Sequence, residues 1–257
     1  MLTLRSLVFT AFLFVAALLG GLVVLLLFWA PSRTHWAVTV GWCRLAVWAA
    51  RFFCRLEVVV EGKENLPDTP SVLLIKHTTA LEAFVQVVVF PRATWVVKRE
   101  LLWLPLFGWA IALVLRPIAI DRGSRGAAVR QVIAQGKAKL ADGIWVTVFP
   151  EGTRVPPGET RRYGISGAAL AQEAGCPIVP VAHNAGDFWP RRSFYKRPGT
   201  VRFCIGPPID PADRPPKETN LIAQNWIEAK MHDISRYYQP QPILAEHGNV
   251  SPPPSNR

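Results

Sequence analysis

The N-terminal part of the chain is a long apolar segment. Residues 6–30 contain no charged side chain, and a helix of that length extends about 37 Å at 1.5 Å per residue. Because the hydrocarbon core of a bilayer is about 30 Å thick, this segment predicts a helix that enters the membrane. A cleavable signal peptide is a weaker interpretation, since the apolar run is too long and no good cleavage site follows it.

A second apolar and aromatic segment covers residues 34–53. Arg44, Arg51 and Arg55 recur at spacings of seven and four, which puts them on one face of a helix. The pattern predicts an interfacial helix whose guanidinium groups meet lipid phosphate, or the second arm of a hairpin if it dips deeply. The rings expected at headgroup depth are Trp36, Trp42 and Trp48. Residues 1–54 are thus predicted to anchor the chain in the inner membrane, with the following domain on the cytoplasmic side by the positive-inside rule.

From residue 55 onward, short apolar runs alternate with segments of helical periodicity. The predicted strands are residues 56–62, 72–75, 94–97, 116–122, 144–149, 178–182 and 200–205. Helices are expected between most of them, and a closing amphipathic helix is expected over 220–238. This alternation predicts an α/β fold, with helices flanking a largely parallel, mixed sheet. We expect one domain over residues 55–238 and a disordered tail over 239–257, where Pro, Ser, Asn and Gly predominate.

Composition narrows the possible partners. The chain has 29 Lys and Arg against 18 Asp and Glu, which favours a phospholipid surface, a phosphorylated substrate or nucleic acid. Hydrophobic residues make up 50% of the chain and there are 10 Trp, so we expect a membrane and no nucleic acid. Trp103, Phe107 and Trp109 form either a membrane-facing or acyl-chain-lining patch, or ordinary core. The four cysteines lack a CxxC pair, which predicts reduced thiols and no metal site.

The candidate chemistry follows the strand at residues 72–75. Lys76 and His77 come directly after this apolar run, and Glu82 lies five residues after His77. The ends of strands and the loops after them are the usual sites in α/β folds, because the sheet holds them rigidly. A carboxylate bonded to one ring nitrogen of a histidine fixes its tautomer, so the other nitrogen is free to take a proton from a hydroxyl. Taken alone, the pair could also be a half-buried histidine and a solvated glutamate.

Four strand ends carry motifs in a fixed order. They are His77-Thr78-Thr79-Ala80-Leu81-Glu82, Pro117-Ile118-Ala119-Ile120-Asp121-Arg122, Phe149-Pro150-Glu151-Gly152-Thr153-Arg154, and the segment from Val179 to Gly186. Over roughly residues 55–210 this set resembles the glycerolipid acyltransferases, most closely the bacterial-type 1-acyl-sn-glycerol-3-phosphate acyltransferases. The family's usual pattern is His, four residues, then Asp, and this chain has Glu82 in place of the Asp.

The resemblance implies transfer of a fatty acyl group from coenzyme A or acyl carrier protein to the sn-2 hydroxyl of lysophosphatidic acid, giving phosphatidic acid. His77 is then the general base, a role worth about 10²–10⁴ in rate, and Glu82 holds its tautomer. No covalent acyl-enzyme is needed, because the thioester is already activated, and the chain has no GxSxG nucleophile motif. The acyl thioester is a co-substrate, and no cofactor or metal is expected.

The acceptor phosphate needs cations at fixed positions. Arg154 is the first candidate because a guanidinium binds phosphate oxygens bidentately; Lys98 matches a family lysine, and Arg122 is a third. Glu151 is expected to orient its loop or a substrate hydroxyl, Gly152 to allow close backbone approach, and Thr153 or backbone amides to meet the thioester oxyanion. His183 is interpreted as structural.

Other functions stay open at this point. The same chemistry could act on glycerol 3-phosphate, another lysophospholipid or a lyso-ornithine lipid. A non-catalytic, membrane-anchored module that binds anionic lipid or nucleic acid would not need His77 and Glu82. A metal hydrolase would need histidines and carboxylates at ligand spacing, whereas the remaining histidines are scattered.

Overall fold

The computed structural model describes residues 1–121 and 125–238. Two long helices begin the chain, α1 over Leu2–Leu26 and α2 over Ser32–Cys54. They form an antiparallel hairpin, because Cys54 Sγ at the end of α2 lies 3.9 Å from the carbonyl oxygen of Arg5 near the start of α1. Both helices are long and apolar enough to cross a membrane, and they indicate membrane anchoring of the chain.

Seven strands form one sheet in the described residues, in the order β1-β7-β6-β2-β5-β3-β4. Their bounds are β1 Leu56–Glu61, β2 Val72–Ile75, β3 Ala93–Lys98, β4 Ile118–Ile120, β5 Trp145–Val148, β6 Ile178–His183 and β7 Gly199–Ile205. Neighbouring strands run parallel except β6 and β7, which are antiparallel. The predicted α/β fold with a largely parallel, mixed sheet is confirmed.

Helices cover both faces of the sheet. They are α3 Leu81–Val89, α4 Phe107–Leu115, α5 Arg125–Ala141, α6 Ser166–Ala174, the short α7 Ala185–Phe188, and α8 Pro216–Ile234. The central strand β2 is buried along its whole length, as expected for a parallel strand covered on both faces. Val72 and Leu74 pack with α5, α6 and α8, whereas Leu73 and Ile75 pack with α2, α3 and α7.

Several element bounds differ from the prediction. The closing helix α8 begins at Pro216 and ends at Ile234, because Pro216 at the first helical turn fixes a helical φ and Ser235 leaves the helix to bond Asp187. α3 begins at Leu81, so Glu82 lies in its first turn. The short helix α7 was not predicted, since four residues carry no measurable periodicity. The tail predicted to be disordered, 239–257, lies outside the described residues.

The N-terminal hairpin packs against the sheet domain. Phe9 of α1 and Ala49, Ala50 and Cys54 of α2 are buried in the core cluster that also contains β2 residues. Farther along α1, Val24 packs with Val114 and Leu115 at the end of α4. The hairpin therefore contacts the domain along its length, although most of the α1 surface stays exposed and apolar.

The tryptophans of α2 do not all face outward. The Trp42 indole donates a hydrogen bond to the Ala16 carbonyl of α1 at 2.8 Å and packs edge-on against Phe84 of α3. The Trp42 N–H is therefore used between the two helices, and the headgroup depth of the three rings stays a prediction. Trp48 is exposed, as are Trp103, Phe107 and Trp109 near the start of α4, so these last three are not ordinary core.

Candidate active site

Parallel pairing brings four strand ends to one edge of the sheet. β6, β2, β5 and β3 are consecutive neighbours and run in the same direction. His183 therefore ends β6 beside His77 after β2, with Glu151 after β5 and Lys98 at the end of β3. Ligands in open α/β sheets bind outside the carboxyl ends of the strands, so this edge is the candidate site.

His77 and Glu82 are in direct contact. His77 Nδ1 and Glu82 Oε1 form a short hydrogen bond, and the His77 side chain keeps 17% of its surface exposed. The imidazole stacks on Phe149, with ring centroids 4.0 Å apart, which fixes its plane. Because Nδ1 donates to the carboxylate, Nε2 is the unprotonated nitrogen and can accept a proton.

Glu82 is fully buried but has a full set of donors. Its Oε2 accepts hydrogen bonds from the backbone N–H groups of Thr78 and Thr79 at 3.0 and 3.1 Å, and its place in the first turn of α3 favours negative charge. Burial alone would raise the pKa of the Glu82 carboxyl, but His77 and His183 outweigh burial and lower that pKa to about 2. Glu82 is therefore a carboxylate at neutral pH.

His183 lies on the other side of the same carboxylate. Its Nε2 is 3.0 Å from Glu82 Oε2 and 2.7 Å from the Lys76 carbonyl oxygen, and the side chain has no exposed surface. Sequence reasoning treated this residue as a loop histidine. The signal that could have found it is the β2–β6 register, which pairs Ile75 with Val181 and so aligns His77 and His183, each two residues farther along the chain.

Lys76 points away from His77 into a buried ion network. Its Nζ lies 2.7 Å from Glu228 Oε1 on α8 and 3.3 Å from Glu151 Oε1, and the Lys76 side chain has no exposed surface. The Tyr163 hydroxyl donates to the same Glu228 oxygen at 2.9 Å. This network was missed because a lysine beside a candidate base is normally solvated, and its partner Glu228 lies on a distant helix.

The loop after β5 is held to the His77 loop by its backbone. The Val155 N–H donates to the His77 carbonyl at 2.8 Å, while Glu151 Oε1 accepts a 3.5 Å hydrogen bond from the His77 N–H. Glu151 therefore contacts the His77 backbone, and its predicted orienting role stays a prediction. Burial raises the pKa of Glu151 to about 7 against the opposing charge of Lys76.

Gly152 has a backbone conformation that favours glycine. Its φ is 69°, the left-handed region that glycine adopts without strain. A Cβ on Gly152 would meet no protein atom within 4 Å, so tight packing against the protein does not select it. Gly152, Thr153 and Arg154 all line the cavity beside His77.

A cavity of about 2150 Å³ opens at His77. One part of its lining is charged or polar, and includes Lys98, Glu100, Glu151, Arg154, Arg162, Arg191, Lys217, Asn220 and Gln224. The other part is apolar and comes from α1, α2, α3 and α4, with Phe14, Leu18, Val24, Trp42, Phe84, Phe107 and Ile111 among its residues. Such a cavity is suited to a ligand with an anionic head and a long hydrocarbon chain.

Arg154 and Lys98 line this same cavity as His77. Among the described residues, the buried Nε atom of Arg154 has no hydrogen-bond partner, so it retains a free donor. Lys98 is exposed at the end of β3. The third cationic candidate, Arg122, lies outside the described residues.

Comparisons with known proteins agree with this geometry. Residues 57–184 match a family model described as acyltransferase. The 1-acyl-sn-glycerol-3-phosphate acyltransferase of Pseudomonas aeruginosa is 41% identical over 222 residues, which cover 83% of this chain and 86% of that protein. The chain belongs to the 1-acyl-sn-glycerol-3-phosphate acyltransferase family. It is an acyltransferase, and the predicted family is confirmed.

More distant relatives extend the match. The 1-acyl-sn-glycerol-3-phosphate acyltransferase alpha of Mus musculus is 29% identical over 186 residues, covering 71% of this chain and 65% of the mouse protein. The crystal structure of the 1-acyl-sn-glycerophosphate (LPA) acyltransferase PlsC from Thermotoga maritima superposes with a TM-score of 0.74 at 23% identity, over 91% of this chain and 97% of that one. The acyltransferase fold therefore includes the N-terminal hairpin region as well as the sheet.

Proposed function

We propose that this acyltransferase transfers a fatty acyl group from an acyl thioester to the sn-2 hydroxyl of lysophosphatidic acid, giving phosphatidic acid. The observation that carries the proposal is the His77–Glu82 pair opening into one cavity with a cationic and an apolar part. The names of the relatives, 1-acyl-sn-glycerol-3-phosphate acyltransferases, support the same acceptor.

The chemistry follows from the tautomer of His77. The acceptor hydroxyl gives its proton to His77 Nε2 while its oxygen attacks the thioester carbonyl carbon. Glu82, ionised and bonded to Nδ1, stabilises the imidazolium that forms. When the tetrahedral intermediate collapses, the C–S bond breaks, the ester remains on the acceptor, and His77 returns its proton to the thiolate.

Cations hold the acceptor head group in this proposal. Arg154, with its buried, unpartnered Nε, is the first candidate to bind the phosphate, and Lys98 is the second. Arg122 keeps the same assignment from the sequence motif. Glu151 positions the loop after β5 in this proposal and does not bind the substrate, since it contacts Lys76 and the His77 backbone.

The donor is an acyl thioester of coenzyme A or acyl carrier protein, used as a co-substrate. Both carry a phosphopantetheine phosphate, and the cavity lining has further cations for it in Arg162, Arg191 and Lys217. The acyl chain has an apolar lining from the four helices that surround the cavity. No resident cofactor or metal enters the proposed reaction.

The proposed location is the inner membrane, with the catalytic domain on the cytoplasmic side. Arg5 and Cys54 are close, so both ends of the hairpin lie on the domain's side, and Arg44, Arg51 and Arg55 are exposed there. The exposed apolar surface of α1 and of the α4 region would contact the phospholipid bilayer.

Thiol release by the purified full-length protein tests the function. With palmitoyl-coenzyme A and lysophosphatidic acid, we expect free thiol and phosphatidic acid in equal amounts, and His77→Ala should lower kcat by about 10²–10⁴. The matched control is His232→Ala, because His232 on α8 does not line the cavity.

An acceptor panel distinguishes the alternatives. Glycerol 3-phosphate, lysophosphatidylcholine and a lyso-ornithine lipid should each have a much lower kcat/KM than lysophosphatidic acid. A higher kcat/KM for one of them would identify that molecule as the acceptor, and the proposed acyl transfer chemistry would stand. Equal activity of wild type and His77→Ala would remove the mechanism and favour a lipid-binding module.

A further inference from the structure

His183 is a buried imidazole that the acyl transfer chemistry does not use directly. It ends β6, 106 residues after His77, and the parallel pairing of β2 with β6 brings the two residues to the same edge. Its ring has no exposed surface and stacks on Phe203 of β7 at 4.6 Å. A histidine held this way cannot reach substrate, so any role in the reaction must act through a neighbour.

The tautomer of His183 is fixed by its surroundings. The Ala185 N–H points at Nδ1 from 3.4 Å, which makes Nδ1 the acceptor and leaves the proton on Nε2. That proton faces two acceptors, Glu82 Oε2 at 3.0 Å and the Lys76 carbonyl at 2.7 Å. The Nε2 group is thus hydrogen-bonded to the Lys76 carbonyl just after β2 and at the same time in contact with the Glu82 carboxylate.

Glu82 uses its two oxygens differently. Oε1 meets His77, whereas Oε2 meets the N–H groups of Thr78 and Thr79 and the ring of His183. The backbone donors come from one side, the loop between β2 and α3, and His183 comes from the neighbouring strand. Without His183, Oε2 would be held from the loop side alone, and we expect the carboxylate to lose its alignment with His77 Nδ1.

The length of the Glu82 side chain explains why its contact with His183 would be important. Glutamate has one more rotatable side-chain bond than aspartate. A longer side chain has more freedom to lose when it is held in one geometry. An additional buried donor on its second oxygen removes that freedom.

We propose that His183 is a positioning residue for the reaction, holding the Glu82 carboxylate against His77 through a hydrogen bond from Nε2 to Oε2. This inference deepens the proposed function and rests on it for the identity of the reaction. The segment after His183 reinforces the arrangement, because a Cβ on Gly186 would lie 2.8 Å from the Thr78 side chain. The β6 end and the Thr78–Thr79 loop are thus in direct contact behind the site.

A matched pair of variants tests the role. The side-chain N–H of Gln in His183→Gln lies near the position of Nε2, whereas that of Asn in His183→Asn lies near Nδ1 and cannot reach Glu82. We expect His183→Asn to lower kcat about ten- to hundredfold, the loss of one hydrogen bond to a charged group. Its KM for both substrates should stay within about twofold, and His183→Gln should keep most of the kcat.

The outcomes separate positioning from simple folding. Equal losses in both variants, with a lowered melting temperature, would assign His183 to the fold alone, and an unchanged kcat in His183→Asn would remove the proposal. If His183→Asn does not fold, a folded His183→Gln with a tenfold lower kcat would also overturn it.

A second readout does not depend on the acceptor. The proton between His77 Nδ1 and Glu82 should give a downfield proton NMR resonance that disappears in His77→Ala. We expect that resonance to shift or broaden in His183→Asn and to stay in place in His183→Gln. A wild type that retains the resonance but does not acylate lysophosphatidic acid would contradict the proposed function and leave the positioning role standing.

Discussion

Lys76 and His77 are consecutive residues at the end of β2, yet they have opposite surroundings. Lys76 is closed in by Glu151 and Glu228, the latter on α8, whereas His77 faces α3 and the cavity. Adjacent residues of a strand point to opposite faces of the sheet. One strand end thus carries a closed ion network beside the β5 loop and, next to it, an imidazole open to the cavity, which we propose is the base.

The two buried carboxylates beside this strand end differ in the same way. Glu82 has donors on both oxygens, and its pKa falls to about 2. Glu151 has an oxygen, Oε2, without a partner among the described residues, and burial raises its pKa to about 7. At Glu82 the interactions with His77 and His183 outweigh burial, whereas at Glu151 burial and the nearby Glu228 carboxylate outweigh Lys76.

Exchanging each carboxyl for an amide gives the sharpest contrast. Glu82→Gln should lower kcat by about 10²–10⁴, because an amide can donate to Nδ1 and so favour the wrong tautomer. Glu151→Gln should cost less than about tenfold, since a carboxyl with a raised pKa is partly neutral already. Steady-state thiol release measures both, and a larger loss in Glu151→Gln would reverse the comparison.

The closed network should be more important for stability than for chemistry. Lys76→Met leaves the buried Glu151 and the partly exposed Glu228 without their cation, and we expect it to lower the free energy of unfolding by about 3–5 kcal/mol. Denaturant unfolding in detergent measures this change. The double variant Lys76→Met/Glu228→Gln should recover part of the loss, and a loss below about 1 kcal/mol in the single variant would contradict the network's role.

Arg154 and Lys76 differ in the same way, since Arg154 lines the cavity whereas Lys76 lies in the closed ion network. Arg154→Ala should raise the KM for lysophosphatidic acid about ten- to hundredfold, the value of one or two charge-assisted hydrogen bonds, with a small change in kcat. Arg214→Ala is the matched control, since Arg214 lies on the surface beside Glu218 and outside the cavity lining. An unchanged KM would contradict phosphate binding by Arg154 and leave Lys98 as the candidate.

The smallest expected effect is on the pH dependence of stability. The lowered pKa of Glu82 contributes stability that is present above its ordinary value of 4.5 and lost as pH falls toward 2. Glu151 behaves oppositely, since its raised pKa contributes stability below 4.5 that is lost as pH rises through about 7.

Unfolding midpoints across pH measure these slopes. Glu82→Gln should flatten the acid side between pH 4.5 and 2, and Glu151→Gln should flatten the range from 4.5 to 7. Identical slopes in the two variants would show that the carboxyls do not differ as described.

Local patterns were enough to predict most of the fold. Apolar runs bounded by Gly, Pro and charged residues gave the strands and the motif-bearing ends, and parallel packing then brought His77, Glu151 and Lys98 to one edge. Helix ends were less predictable, because the end of α8 depends on a hydrogen bond from Ser235 to Asp187, 48 residues away in sequence.

Contacts between distant segments could not be predicted in the same way. His183 and Glu228 become partners of the site only through the order of strands and the packing of α8. Trp42 carries the same composition signal as Trp48, but one lies between helices and the other faces outward. Residue type determines what a side chain can do, whereas topology determines which residues it contacts.

The N-terminal hairpin has a consequence for how the enzyme can be handled. Residues of α1 and α2 supply part of the cavity wall, and Phe9, Ala49 and Ala50 fill the core beneath the sheet. A shortened chain that starts at residue 55 would thus expose apolar core residues to water. It would also lack part of the apolar cavity wall that we expect the acyl chain to contact. Removing residues 1–54 to make the enzyme soluble should therefore abolish its activity. The same two helices hold the chain at the bilayer and complete the catalytic pocket.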